Sequence, residues 1–123
     1  MPCFLNESMT TTIIVRRDKE LRTTNAIVDT IVSMTQGDLE SAAAMDEVFQ
    51  ELFETVPLFS IFDIDRLDRD RFKDLFAASQ AARNKYEANG PNGPPPFAAF
   101  RKVLDIWDEL LTMMRDDERL LKS

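Results

Sequence analysis

The sequence predicts an all-α fold, an antiparallel four-helix bundle with the option of a short N-terminal β-strand. The 123 residues include only three glycines, and five of the six prolines lie outside the segments with regular apolar spacing. Ala, Leu and charged residues that favour helix are abundant. Apolar residues recur at three- and four-residue steps in four segments with short links between them, which is the pattern of a helical bundle.

The length and composition are typical of one small domain. We place this single helical domain at residues 10–123, behind a flexible leader of residues 1–9. The leader lacks the pattern of a signal peptide, and no run of about 18 apolar residues occurs, so we expect no membrane span. Cys3 is the only cysteine, which excludes an intramolecular disulfide. We therefore expect a cytoplasmic protein.

The N-terminal part of the domain begins with a β-branched segment, residues 10–17, which favours a strand. It is also compatible with a poorly formed start of the first helix. No partner strand is evident elsewhere in the chain, so a strand here would have to pair with another copy. Apolar residues from Leu21 to Met34 predict the first helix over 18–35, with Gly37 as its stop.

The second helix is predicted to begin near Asp38, a good N-cap residue, and to end at Pro57. Its apolar residues recur at helical spacing, and acidic residues fall on the opposite side. A short and very apolar connector, residues 58–64, follows this helix. This connector either fills the core or docks on a partner.

The third helix is predicted to start after Asp65 or Asp68 and to end near Asn89. After the proline-rich loop 90–96, a fourth helix spans about 95–119. The apolar face of the fourth helix is wider than a surface helix needs, which predicts a central position or a contact with another subunit. The residues predicted for self-association share this face: Ile106, Trp107, Leu110 and Met113.

The charge distribution is the strongest functional clue. Between Thr23 and Asp65 the chain has nine acidic residues and neither Lys nor Arg, and the formal net charge of the whole chain is −7. A field of one sign attracts cationic partners, whereas a solvated helix face usually mixes both signs through pairs one turn apart. The acidic residues predicted to contact a partner lie on or beside the second helix: Asp38, Glu40, Asp46, Glu47, Glu51 and Glu54.

The sequence therefore predicts a small acidic, non-catalytic protein that recognises a basic protein partner through the acidic helix face of residues 38–54, with inhibition of that partner as a further option. Carboxylates on such a face would take the place of phosphates. A plain solubilising role for the same face is the simpler interpretation, because acidic surfaces keep proteins soluble. A structural helical subunit that assembles into a homo-oligomer through the fourth helix is a further alternative.

A cluster of basic residues near the N-terminus gives a DNA-binding alternative: Arg16, Arg17, Lys19 and Arg22. The run from Thr11 to Arg22 resembles the start of ribbon–helix–helix antitoxins and repressors, with Asp18, Leu21 and Arg22 matching the family's Asp-x-x-Leu-Lys/Arg pattern. The resemblance implies a dimer whose paired strands lie in the DNA major groove. The acidic net charge argues against nucleic acid as a partner of the rest of the chain.

Enzyme chemistry finds little support in the residue types. The chain has no histidine and no glycine-rich phosphate loop, so the usual proton shuttle and zinc ligand are absent. The acidic series from Asp63 to Asp74 lacks the glycine that a calcium-binding EF-hand loop requires, and arginines alternate with its aspartates. This series predicts a helix start with ion pairs. We expect no enzyme activity, cofactor or metal.

Overall fold

The computed structural model describes residues 10–90 and 97–121, and side chains for residues 10–90 and 100–120. The predicted leader 1–9 and most of the proline-rich loop, 91–96, lie outside the described residues. Eight main elements follow one another along the described chain: β1 (Thr10–Arg16), β2 (Lys19–Thr24), α1 (Asn25–Ser41), α2 (Glu47–Phe59), β3 (Ile61–Asp63), α3 (Arg69–Asn89), α4 (Phe97–Arg115) and α5 (Glu118–Leu121). This α+β architecture shows that the predicted all-α four-helix bundle is wrong.

The three strands form one mixed sheet in the order β2-β1-β3. β1 and β2 make an antiparallel hairpin across Arg17 and Asp18, and β3 lies parallel to β1 on its other side. The prediction that a strand at 10–17 would need a partner from another copy is therefore wrong. Both partners of β1 come from the same chain, because Ile61–Asp63 lies within the apolar connector that follows α2.

The segment 19–24 is a strand, although the sequence predicted the first helix there. Its side chains alternate with a period of two, since Leu21 and Thr23 are buried while Arg22 and Thr24 are exposed. Thr24 lies opposite Thr10 in the hairpin, a pairing of β-branched residues that suits a sheet. The Thr24 side chain then accepts a hydrogen bond from the Ile27 backbone N–H and caps α1.

The boundaries of α1 and α2 also differ from the prediction. α1 passes through Gly37 and ends at Ser41. Just beyond it Ala43 has a positive φ of 56°, and the Ala44 N–H donates to the Leu39 carbonyl at 2.8 Å. α2 begins after Asp46 rather than near Asp38 and continues one turn around Pro57. A proline in this last turn is tolerated when the surrounding packing holds the helix.

The helices cover one face of the sheet and enclose the core. β1 and β2 bury alternate residues on that face, and Phe62 of β3 stacks on Phe53 of α2 with ring centres 5.8 Å apart. α3 packs along α1 and also contacts α4 and α5. The predicted start of α3 after Asp68 and its end at Asn89 are confirmed.

Candidate partner-binding surface

The six predicted contact acids are divided between two helices. Asp38 and Glu40 lie in the last turn of α1, Asp46 is the N-cap of α2, and the other three lie within α2. These acids also differ in how exposed they are and in whether they form ion pairs. Glu40 is exposed near the end of α1, whereas Asp38 is paired with Lys85 of α3 at 2.8 Å.

Several carboxylates of the acidic third are neutralised by cations from other parts of the chain. Four ion pairs do this: Asp38–Lys85 at 2.8 Å, Asp46–Arg71 at 2.8 Å, Glu51–Arg66 at 3.1 Å and Asp65–Arg16 at 3.3 Å. Every cation in these pairs comes from outside residues 23–65. The acidic stretch is therefore used partly to hold the fold together, and only some of its carboxylates face solvent without a partner.

Asp46 has a structural function at the start of α2. Its side chain accepts a hydrogen bond from the Phe49 backbone N–H at 3.0 Å. It also forms an ion pair with Arg71 at 2.8 Å. The backbone hydrogen bond from Phe49, together with Arg71, lowers the pKa of Asp46 below its ordinary value. This carboxylate is thus engaged as an N-cap and is a poor candidate for contacting a partner.

The outer face of α2 carries the acids that remain open. Glu47, Glu51 and Glu54 recur at four- and three-residue steps, which places them on one exposed face of the helix. Phe49 and Phe53 lie on the opposite, buried face. Glu47 and Glu54 make no ion pair within residues 10–90 and 97–121, whereas Glu51 pairs with Arg66.

The same face ends in exposed apolar side chains. Leu58, Phe59 and Ile61 are 72%, 67% and 37% exposed, and they are the exposed large apolar residues of the described chain. The apolar connector 58–64 fills the core only in part, and its docking on a partner stays a prediction. Phe62 and Ile64 are buried in the core, while the other three face solvent. An exposed apolar group beside unpaired acids is typical of a protein-binding surface.

The basic residues of the DNA-binding alternative lie on the hairpin. Arg17 and Lys19 are exposed at its turn, and Arg22 donates to the Thr10 hydroxyl at 3.3 Å. Arg16 points instead into an ion cluster at the end of β1. β1 is paired along both edges within the chain, so the dimeric ribbon that the family resemblance implies would have no free edge on β1.

The residues predicted for self-association are mostly internal. Trp107 and Leu110 are fully buried, and the Trp107 indole N–H donates to the Ser79 hydroxyl at 2.9 Å. Ile106 and Met113 are half-buried and pack against the same core. The wide apolar face of α4 is covered by α3 and α1, which explains its width without a second subunit.

A buried ion cluster, which the sequence analysis did not anticipate, joins the end of the chain to the sheet. Asp117 and Arg119 are only 3% and 7% exposed and pair at 2.8 Å, and Arg16 approaches Asp117 at 3.0 Å. Burial alone would raise the pKa of Asp117. Hydrogen bonds from the Arg119 side chain and backbone, together with the charge of Arg16, outweigh burial and lower the pKa to about 2.

Arg119 also donates hydrogen bonds to three backbone carbonyls from other parts of the chain. Its guanidinium donates to the carbonyls of Val15, Ile64 and Leu67 at 2.9, 3.1 and 2.9 Å, and lies 3.8 Å from the centre of the Phe72 ring. The contacts of Arg119 with Val15, Ile64 and Leu67, and of Arg16 with Asp117, link separate parts of the chain. We interpret it as structural, since perturbed pKa values arise in ion-pair networks as well as in active sites.

Other surfaces of the described chain provide less for function. A groove of about 410 Å³ between α1 and α3 is lined mainly by alanines, with the Asp38–Lys85 pair at its side. Within residues 10–90 and 97–121, no group of three or more His, Cys, Asp or Glu is placed to hold a metal ion. None of the helices in the described chain has the length and apolar content needed to cross a membrane.

Comparisons with protein-family models, with curated proteins and with solved structures find no significant match to this chain.

Proposed function

We propose that this chain is a non-catalytic binding protein that recognises a basic protein partner through the outer face of α2. The observation that carries the proposal is the pair Glu47 and Glu54, which are exposed and aligned on one helix face without an ion pair in the described chain. The adjoining Leu58 and Phe59 add apolar surface that binding would remove from water. Charge steers such a partner, and apolar contact retains it.

The proposal narrows the predicted contact set. Glu47 and Glu54 form its centre, and Glu40 is exposed on the neighbouring helix. Glu51 lies between them; it pairs with Arg66, but its side chain is 64% exposed and stays within reach of a partner. Asp38 and Asp46 are less suited, because each is already paired within the chain. Removing either of them would change the fold's own interactions and would obscure any effect on a partner.

The proposal includes inhibition and a cytoplasmic location. A basic protein that acts on phosphate-bearing molecules uses its cationic surface to bind them. Carboxylates that cover that surface would compete with phosphate, so binding by this chain would block the partner's activity. The exposed α2 face presents Glu47 and Glu54 about 10 Å apart along the helix axis, from the rise per residue of an α-helix.

The test begins with capture of partners from a lysate of the source organism at low and high salt, and continues with affinity measurements on the purified partner. We expect a Glu47→Lys, Glu54→Lys double variant to weaken binding of that partner by about tenfold or more. The matched control is Asp105→Lys with Glu109→Lys on α4, which changes the net charge equally at two exposed acids without a described ion pair.

The control separates a specific face from net charge alone. Retained binding in the α4 control, together with loss in the α2 variant, supports the proposal. Equal weakening in both variants shows that only the overall negative charge matters, and unchanged binding in both contradicts the proposal. Circular dichroism confirms that both variants are folded.

A further inference from the structure

An exposed apolar ridge, formed by Leu58, Phe59 and Ile61, joins the end of α2 to the start of β3. Its side chains are 72%, 67% and 37% exposed, although burial of residues of this kind is favourable. The adjacent Phe62 is buried in the core and only 2% exposed, so the exposure of Ile61 is not a general property of this segment. Apolar groups that remain together on the surface mark sites of interaction.

The ridge is held in place by its backbone. Ser60, between Phe59 and Ile61, has the left-handed φ and ψ values of 56° and 38°. Its N–H donates to the Val56 carbonyl and its carbonyl accepts from the Thr12 N–H, both at 3.0 Å. A surface that is already ordered loses little entropy when a partner binds.

The ridge adjoins a free strand edge. In the order β2-β1-β3, β3 is an outer strand, and no strand of the described chain lies beyond it. An outer strand presents unpaired backbone N–H and C=O groups on its open side. In β3, Ser60 and Phe62 face β1, so the outward groups are the N–H and C=O of Ile61 and the N–H of Asp63. The Asp63 carbonyl is used by the short 3₁₀ helix Ile64–Arg66, whose N-cap residue is Asp63.

The charges beside the ridge are negative. Glu54 precedes Leu58 by one helical turn, and Asp63 follows Ile61 on the same side of β3; neither makes an ion pair in the described chain. The nearby Arg66 is paired with Glu51. A second copy seated here would bring acids against acids, whereas a basic segment would complement them.

We propose that the partner's contact segment is an extended basic chain that adds as a fourth strand along β3. Alternate side chains of an added strand lie on one side of the sheet, and Ile61 and Asp63 share one side of β3. The added strand would therefore carry, on that same side, both apolar residues that contact the ridge and Lys or Arg residues that pair with Glu54 and Asp63. This inference rests on the proposed function and specifies the partner's recognised element. Backbone hydrogen bonds to Ile61 and Asp63 set its direction along the edge.

The test uses fluorescently labelled synthetic heptapeptides whose positions 1, 3, 5 and 7 are Lys, Leu, Lys and Leu, with Thr at the positions between them, so that both residue types lie on one side of an extended strand. One peptide has a normal backbone, and a second is N-methylated at alternate residues, which removes its ability to pair along one edge but keeps its charge. Binding is measured by anisotropy to the wild type and to a Leu58→Ser, Phe59→Ser variant. Because both side chains are exposed, the variant should fold normally. Ala81→Ser with Ala88→Ser, at exposed positions of α3, is the control.

We expect the unmodified peptide to bind the wild type and the α3 control, and to bind the ridge variant about tenfold or more weakly. N-methylation should cause a loss of similar size. Peptide binding that is unaffected by the ridge variant and by N-methylation, but is lost in the Glu47→Lys, Glu54→Lys variant, overturns the strand addition. That result would still support the proposed function of the acidic face. If neither peptide binds while the purified protein partner still does, the strand addition is also overturned. Self-association by sedimentation that the ridge variant abolishes overturns it as well.

Discussion

The outer face of α2 and the buried ion cluster at the end of the chain use the same residue types in opposite ways. In the cluster, Asp117 is 3% exposed and is bound by Arg119 and Arg16. On α2, Glu47 and Glu54 face solvent without a described ion pair. The difference shows that the position of acids in a sequence does not tell which of them a partner can reach.

The physical basis of this difference is desolvation. A buried carboxylate loses its hydration and must be paired and hydrogen-bonded, so its partners become part of the fold. An exposed carboxylate keeps its hydration and contributes little to stability, whether paired or not. The free energy of unfolding should therefore respond strongly to changes in the cluster and weakly to changes on α2, while partner binding should respond in the reverse order.

The largest expected effect is the loss of Arg119. Arg119→Met would leave Asp117 with a weaker partner and would remove the guanidinium hydrogen bonds to the carbonyls of Val15, Ile64 and Leu67. We expect the free energy of unfolding to fall by about 3–5 kcal/mol, measured by urea denaturation. Arg115→Met is the control. A fall of under about 1 kcal/mol in Arg119→Met would contradict the structural role of the cluster.

The second effect is a loss of stability in acid. The pKa of Asp117 is lowered from 3.8 to about 2, so its contribution is complete above its unfolded value and is lost as the pH falls through the folded one. We expect this contribution of about 2 kcal/mol to disappear between about pH 4 and pH 2. The contribution of the ionised Asp117 is isolated by comparing the urea midpoints of the wild type and Asp117→Asn across this pH range. A carboxyl pKa of 3.8 or higher for Asp117, by NMR titration, would contradict the prediction.

The third effect distinguishes a capping acid from its neighbour on α2. Asp46→Ala removes the hydrogen bond to the Phe49 N–H and the ion pair with Arg71, and should lower the free energy of unfolding by about 1 kcal/mol. Glu47→Ala, one residue later, should cost only a few tenths of a kcal/mol. Thermal melts of the two variants make the comparison. Equal losses would show that Asp46 does not act as the cap.

The smallest expected effect on stability is at the open face. The Glu47→Lys, Glu54→Lys variant should change the free energy of unfolding by less than about 0.5 kcal/mol, because both side chains are exposed and unpaired in the described chain. Urea denaturation measures this directly. A loss above about 1 kcal/mol would mean that these acids support the fold, and the contrast with the cluster would no longer hold.

The fold class was mispredicted at two places, the segment 19–24 and the strand β3 within the apolar connector. A helical stripe beginning at Leu21 concealed the two-residue alternation of Leu21 and Thr23. Periodicity over six residues cannot distinguish a helix from a strand. In this chain the segment is a strand because it pairs with β1, with Thr24 opposite Thr10, and β1 is in turn paired with β3. The α3 helix, with its cap at Asp68 and a long regular pattern, was predictable because its signals are local.

The sequence by itself determined the local features: the start and end of α3, the amphipathic face of α2, and the presence of one acidic third. Only the tertiary structure decided which acids are free. Lys85, Arg71, Arg66 and Arg16 lie up to tens of residues from the carboxylates they neutralise, and folding brings them together. The exposure of Leu58 and Phe59 was decided in the same way, because burial depends on what packs against a residue rather than on its type.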